Sequence, residues 1–136
     1  MGLSYATLGS NDLVSARAFY AAILSPLAGA IVQEVPEQAF CCLLADGRKL
    51  WITRPFNGQP ATSGNGAMIA FESATKAGVG EAHAAGLRSG GSSEGAPGPR
   101  PLYGPGVYVG YLRDPDGNKL AVVHNETGEA DDPASA

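Results

Sequence analysis

Asp116-Gly117-Asn118-Lys119-Leu120-Ala121-Val122 repeats Asp46-Gly47-Arg48-Lys49-Leu50-Trp51-Ile52, with Asp, Gly, Lys and Leu identical at matching positions. A second pair of stretches, residues 5–24 and 68–87, matches in the same order. Each reads as a strand, a polar break, a capping residue and a helix that ends at a leucine. Two ordered matches make an internal repeat, in which one supersecondary unit is used twice. The Asp-Gly stretches stand farther apart than the strand–helix stretches. The second copy therefore carries extra residues, and the Gly/Pro/Ser-rich stretch 89–101 can hold them.

Working outward, residues 4–9 have strand character, and Asn11 or Asp12 can cap a helix by accepting a free N–H of its first turn. Leu13, Ala16, Phe19, Tyr20, Ile23 and Leu24 then recur at helical spacing, and Pro26 and Gly29 are expected to end that helix. Strands are predicted over 30–34, 38–45 and 49–54, with Asp46-Gly47 as the hairpin turn between the last two. Residues 55–66 read as a linker. The order then recurs: a strand over 67–72, a helix over 75–87 capped by Thr75 and weakened by Gly78 and Gly80, a strand over 107–113, the tight turn Asp114-Pro115-Asp116-Gly117-Asn118, and a last strand over 119–124. Residues 89–101 are expected to be a loop without core-forming content. The expectation is one domain over 1–125, with module one at 1–56, a linker at 57–65 and module two at 66–125. The tail 126–136 lacks apolar periodicity and is expected to be disordered.

The 136-residue length fits such a pair of modules sharing a core, and a hydrophobic fraction of 44% with 16% charged residues is ordinary for a globular chain. A net charge of −4 with no Lys/Arg cluster argues against nucleic acid as a partner. No apolar run approaches the roughly 20 residues that span a bilayer. Met1-Gly2-Leu3-Ser4-Tyr5 lacks the basic-then-apolar order of a signal peptide, and Ala6 does not complete a myristoylation motif. The expected location is the cytoplasm. Cys41 and Cys42 are adjacent, so their side chains point to opposite faces of a strand and a mutual disulfide would be strained. They are read as small buried hydrophobes.

Three blocks carry a resemblance to a known family: Thr7-Leu8-Gly9-Ser10-Asn11-Asp12-Leu13 with Ala18-Phe19-Tyr20, then Gly64-Asn65-Gly66-Ala67-Met68-Ile69-Ala70-Phe71, then Arg113-Asp114-Pro115-Asp116-Gly117-Asn118-Lys119-Leu120. Together they resemble the vicinal oxygen chelate superfamily, which holds glyoxalases, extradiol dioxygenases, fosfomycin-modifying enzymes and bleomycin-binding proteins. The resemblance implies an α+β fold in which two βαβββ modules form a curled mixed sheet around a central cup. It also implies a homodimer. In metal-binding members the ligands are His, Gln or Glu on the first and last strands of each module. Those positions map here onto Tyr5, Trp51, Met68 and Ala121. Hard and borderline divalent ions want carboxylate oxygen or imidazole nitrogen, so no metal or other cofactor is expected at these four residues. Of the two histidines, His83 is expected to be exposed in mid-helix, and His124 follows the last strand.

A cup lined by Tyr, Trp, Met and Ala is apolar and aromatic, the usual make-up of a small-molecule pocket. Trp51 can stack on a planar group, and Met68 can adapt to irregular shapes. Tyr103, Tyr108 and Tyr111 are expected to complete a wall. Arg54 and Arg100 are candidates for pairing with a carboxylate or phosphate, and His124 for the rim. The expected function is binding of a small aromatic or amphipathic molecule, with no catalytic residue assigned. One alternative is a lyase-like or dioxygenase-like enzyme of the same superfamily, either metal-dependent through relocated ligands or metal-free with Tyr5 and His124 carrying protons. Another is a module whose cup is filled by its own side chains.

Overall fold

The computed structural model describes residues 1–126; positions 127–136 lie outside the described residues. All but one residue of the tail expected to be disordered fall there. The exception, Glu126, ion-pairs with Lys76 at 2.8 Å.

The first module runs β1 (Tyr5–Gly9), α1 (Leu13–Leu24), a single 3-10 turn (Ser25–Leu27), β2 (Ala30–Val35), β3 (Ala39–Leu43) and β4 (Lys49–Thr53). The second runs β5 (Ile69–Glu72), α2 (Lys76–Arg88), β6 (Ser92–Pro99), a 3-10 turn (Pro101–Tyr103), β7 (Val107–Arg113) and β8 (Lys119–Asn125). Each module makes its own four-stranded sheet, in the orders β1-β4-β3-β2 and β5-β8-β7-β6. In each, the first strand pairs parallel to the last and the others pair antiparallel. The predicted repeat is thus a repeat of pairing as well as of sequence. The expected mixed sheet of paired modules is built as one four-stranded mixed sheet from each.

Both helices start as predicted. The Asp12 carboxylate accepts the Ser15 N–H at 3.1 Å, and the Thr75 hydroxyl accepts the Gly78 N–H at 2.9 Å. At the end of α1, Pro26 lies inside the 3-10 turn, and Ala28 rather than Gly29 takes the left-handed conformation (φ 58°). Gly29 is required for another reason: a Cβ there would lie 2.9 Å from the Leu43 carbonyl oxygen. The two glycines expected to weaken α2 differ. A Cβ on Gly78 would collide with the Ser73 hydroxyl, whereas one on Gly80 would meet nothing within 4 Å. Gly80→Ala should therefore stabilise the fold by about 0.5–1 kcal/mol, because alanine loses less backbone entropy in a helix. Thermal melts would read this as a higher Tm; an unchanged or lower Tm would contradict it.

The stretch expected to be a loop, 89–101, contains β6. Its Ser-Ser-Glu-Gly-Ala-Pro-Gly-Pro sequence has no strand propensity. It pairs with β7 all the same, as an edge strand with register shifts at Gly95 and Gly98. An edge tolerates Pro97 and Pro99 because one side of the strand needs no N–H donor.

Alternate residues of every strand face the helices. Phe40, Cys42, Leu50 and Ile52 from the first sheet join Phe71, Leu112, Leu120 and Val122 from the second, with Phe19, Tyr20, Ile23 and Val79 from the helices, in one buried core. Each fully buried large side chain contributes about 1.5–3 kcal/mol. The other side of each sheet faces away from this core.

The turn Asp114–Asn118 ties the modules together. The Asp114 carboxylate, buried in the core region, accepts the Tyr20 hydroxyl at 2.6 Å, the N–H groups of Asp116 and Asn118 at 2.9 Å each, and Asn118 Nδ2 at 2.9 Å. Asn118 Nδ2 also donates to the Gly9 carbonyl at 2.9 Å, and the Asn11 N–H donates to Asp116 Oδ1 at 2.7 Å. No helix among the described residues is long and apolar enough to cross a membrane.

Candidate functional site

The register sorts the predicted site residues. In the first sheet Tyr5 pairs with Lys49 and Thr7 with Trp51, while Trp51 also pairs with Cys41. Paired residues share a face, so Tyr5, Thr7, Lys49, Trp51 and Cys41 lie together on the side away from the helices. In the second sheet Ala70 pairs with Ala121, and Ala121 with Tyr111. Met68, two residues before Ala70, falls on that same outer side. The four positions mapped from the family pattern are therefore equivalent by fold as well as by sequence.

Tyr5 (60% exposed) and Met68 (45% exposed) both line a cleft of about 370 Å³ between the edges of the two sheets. Its floor is core side chains, Leu24, Leu27, Leu50 and Phe71, and its rim carries Asp46, Arg48, Lys49 and Glu72. Trp51 and Ala121 do not line this cleft. Trp51 is half-buried on the open outer face of the first sheet. Ala121 is covered: with Val107 and Val109 it forms a second small apolar cluster, against which Tyr103, Tyr111 and Val123 pack. At Ala121 the outer face is therefore covered by the chain's own side chains.

Three expectations need correction. Tyr108 does not share a wall with Tyr111. The two are an odd number of residues apart on β7, so Tyr108 points inward and packs on the main core, with Lys76 Nζ 5.8 Å from its ring centroid. His124 pairs with Tyr108 in register and so shares the inner side, where its Nδ1 lies 3.1 Å from the Ser73 carbonyl oxygen. It does not share a face with Tyr5. His83 is buried (6% exposed), with Nε2 at 3.1 Å from both the Ser93 hydroxyl and the Tyr111 carbonyl oxygen. β6, the strand hidden in the Gly/Pro sequence, is what covers it.

Arg54 is exposed beyond the end of β4 and spends its Nε on the Glu37 carbonyl at 2.8 Å. Arg100 folds back along β6, and its guanidinium carbon lies 5.7 Å from the Tyr111 ring centroid. Lys49 and Lys119, identical in the repeat, both fall on outer faces. The identity of the two lysines in the repeat is the sequence signal for this placement. Burial raises the Cys41 thiol and, joined by the neighbouring Cys41, pushes Cys42 up to about 12, so neither is a ready thiolate.

The donor set does not fit a divalent ion. Trp51 and Ala121 offer no donor atom, Met68 a soft thioether, and Tyr5 a phenol that would first have to lose its proton. Among the described residues no three His, Cys, Asp or Glu side chains gather as ion ligands.

No protein-family model and no curated protein matches the chain. Among solved structures, a glyoxalase/bleomycin resistance protein from Albidiferax ferrireducens is similar at 36% identity and a TM-score of 0.78, over 90% of this chain and 97% of that one. The chain belongs to the glyoxalase/bleomycin resistance family. Two further solved structures share the fold at lower identity. A glyoxalase-related enzyme from Fulvimarina pelagi is 23% identical with a TM-score of 0.72, over 91% of this chain and 88% of that one. A lactoylglutathione lyase from Agrobacterium tumefaciens is 22% identical with a TM-score of 0.67, over 95% and 97%.

Proposed function

We propose that the protein binds a small aromatic or amphipathic molecule on the outer sheet faces, without a divalent metal and without catalysis. The observation that supports this best is the register. Tyr5, Trp51, Met68 and Ala121 occupy equivalent places in the two modules; Tyr5, Trp51 and Met68 offer ring and thioether groups there, and Tyr103 and Tyr111 pack over the buried Ala121. Such surfaces favour planar and apolar ligands. The separation of Tyr5 and His124 onto different faces speaks against the two acting as one acid–base pair.

A homodimer is part of this reading. Tyr5 and Met68 remain open in the single chain, together with Leu3 (79% exposed), and a second copy covering the cleft would complete a closed pocket. Two buried, unpaired cysteines fit the proposed cytoplasmic location.

Trp51 is the sole tryptophan, so its fluorescence reports on the first sheet's outer face alone. Titration with a panel of aromatic and amphipathic compounds should give saturable quenching, lost in Trp51→Phe, and tag-free protein should carry no stoichiometric Ni, Zn, Mn or Fe. Unchanged fluorescence across the panel removes binding at the first sheet's outer face. A stoichiometric metal ion removes the metal-free one.

A further inference from the structure

We propose that Arg100, Lys119 and the Tyr111 ring form a subsite for the acidic group of a planar aromatic ligand on the outer face of the second sheet. The proposal rests on the reading that the outer faces take aromatic molecules, and adds to it the ligand's charge.

Arg100 is held in place by the local backbone. It donates from Nη2 to the Ala96 carbonyl at 2.8 Å and from Nη1 to the Pro99 carbonyl at 3.2 Å. The space it occupies exists because β6 has no side chain at two points. A Cβ on Gly98 would lie 3.1 Å from Nη1; one on Gly95 would lie 3.0 Å from the Tyr111 ring and 3.5 Å from Nη2. The glycines and prolines that hid this strand in the sequence thus seat a guanidinium against a ring. Lys119 approaches the same ring, with Nζ 5.4 Å from its centroid. Lys119 alternates with Ala121 on β8, so it shares the outer face with Tyr111.

Charge is out of balance here. Both cations are half-buried, and among the described residues neither has a carboxylate in ion-pair contact. Glu94 feels Lys119 but is held by Arg113 at 2.7 Å. Among the described residues Glu94 is thus shared by Arg113 and Lys119, and Arg100 has no carboxylate in ion-pair contact. An ammonium has three donors and a guanidinium five. Most of them here remain for an acceptor that carries charge, which makes the stronger kind of hydrogen bond. Tyr103, Tyr111 and Val123 beside them supply the apolar surface on which a planar body can lie.

Two fluorescent probes separate the charge from the ring system: anilinonaphthalene sulfonate and its neutral parent, phenylnaphthylamine. The full chain should bind the sulfonate about tenfold more tightly than the neutral probe, the effect of one charge-assisted hydrogen bond. Lys119→Gln and Arg100→Gln should each lose most of that preference and keep the neutral probe's affinity, while Lys119→Arg should retain it. Equal binding of both probes, or a preference that survives in both glutamine variants, overturns the anion subsite and leaves the aromatic-binding reading standing. Failure of the chain to bind either probe overturns both.

Discussion

Asp114→Ala should destabilise the protein by about 3–5 kcal/mol, the range for removing one partner from a buried charged network. The substitution would orphan the Tyr20 hydroxyl, two turn N–H groups and one side-chain N–H of Asn118 in a single step. Urea unfolding would measure it, and a loss below about 1 kcal/mol would show that the turn holds its shape without the carboxylate. Tyr20→Phe removes only one bond and should cost about 1–2 kcal/mol, with Asp114 still satisfied by the turn. The two substitutions should be strongly non-additive, since both delete the same contact. Burial first, and then the adjacent Asp114 charge, raise the Tyr20 phenol well above its ordinary value near 10. Its contribution to stability is therefore full below about pH 10 and is lost as pH rises through the folded-state value. Tyr20→Phe should lack that alkaline loss.

Phe19→Ala should cost a similar amount, about 3–5 kcal/mol, through lost burial and the cavity left behind. Phe19 is 0% exposed and meets Tyr20 edge-on at 5.1 Å between ring centroids. Its ring enters a hollow on the second module made by two glycines. A Cβ on Gly86 would sit 3.1 Å from the ring, and one on Gly91 would sit 2.5 Å from it. Gly86→Ala alone should also destabilise, by crowding Phe19, Ile23 and Leu112. In the Phe19→Ala background that added methyl should cost less or even help, because it fills vacated space. Additive losses in the double variant would mean that the ring and the glycine do not share one contact.

How far the sequence could be read follows from the range of each interaction. The βαβββ repeat was legible because alternation and capping are local: Asp12 and Thr75 bond within their own first turns. The Asp-Pro-Asp-Gly-Asn turn was legible as a turn, but its partner Tyr20 is 94 residues away, beyond any local pattern. β6 was missed because its pairing is dictated by the neighbouring strand and not by its own residues. His83 reads as exposed for the same reason: no local pattern marks the strand whose Ser93 lies against its ring. The two aromatic residues of β7 were grouped by proximity when their odd spacing already placed them on opposite sides. The four outer-face positions came from family resemblance, and the register of each sheet brings out their equivalence.

Residues of the main core and residues of the outer faces, where we propose a ligand lies, alternate along the same strands. A change at Tyr5, Thr7, Met68 or Ala70 leaves Leu8, Leu50, Phe71 and Leu120 in their places. Recognition can thus be rewritten one side chain at a time with little thermodynamic penalty. Substitutions on the proposed ligand face would therefore change what that face contacts while the main core keeps its packing.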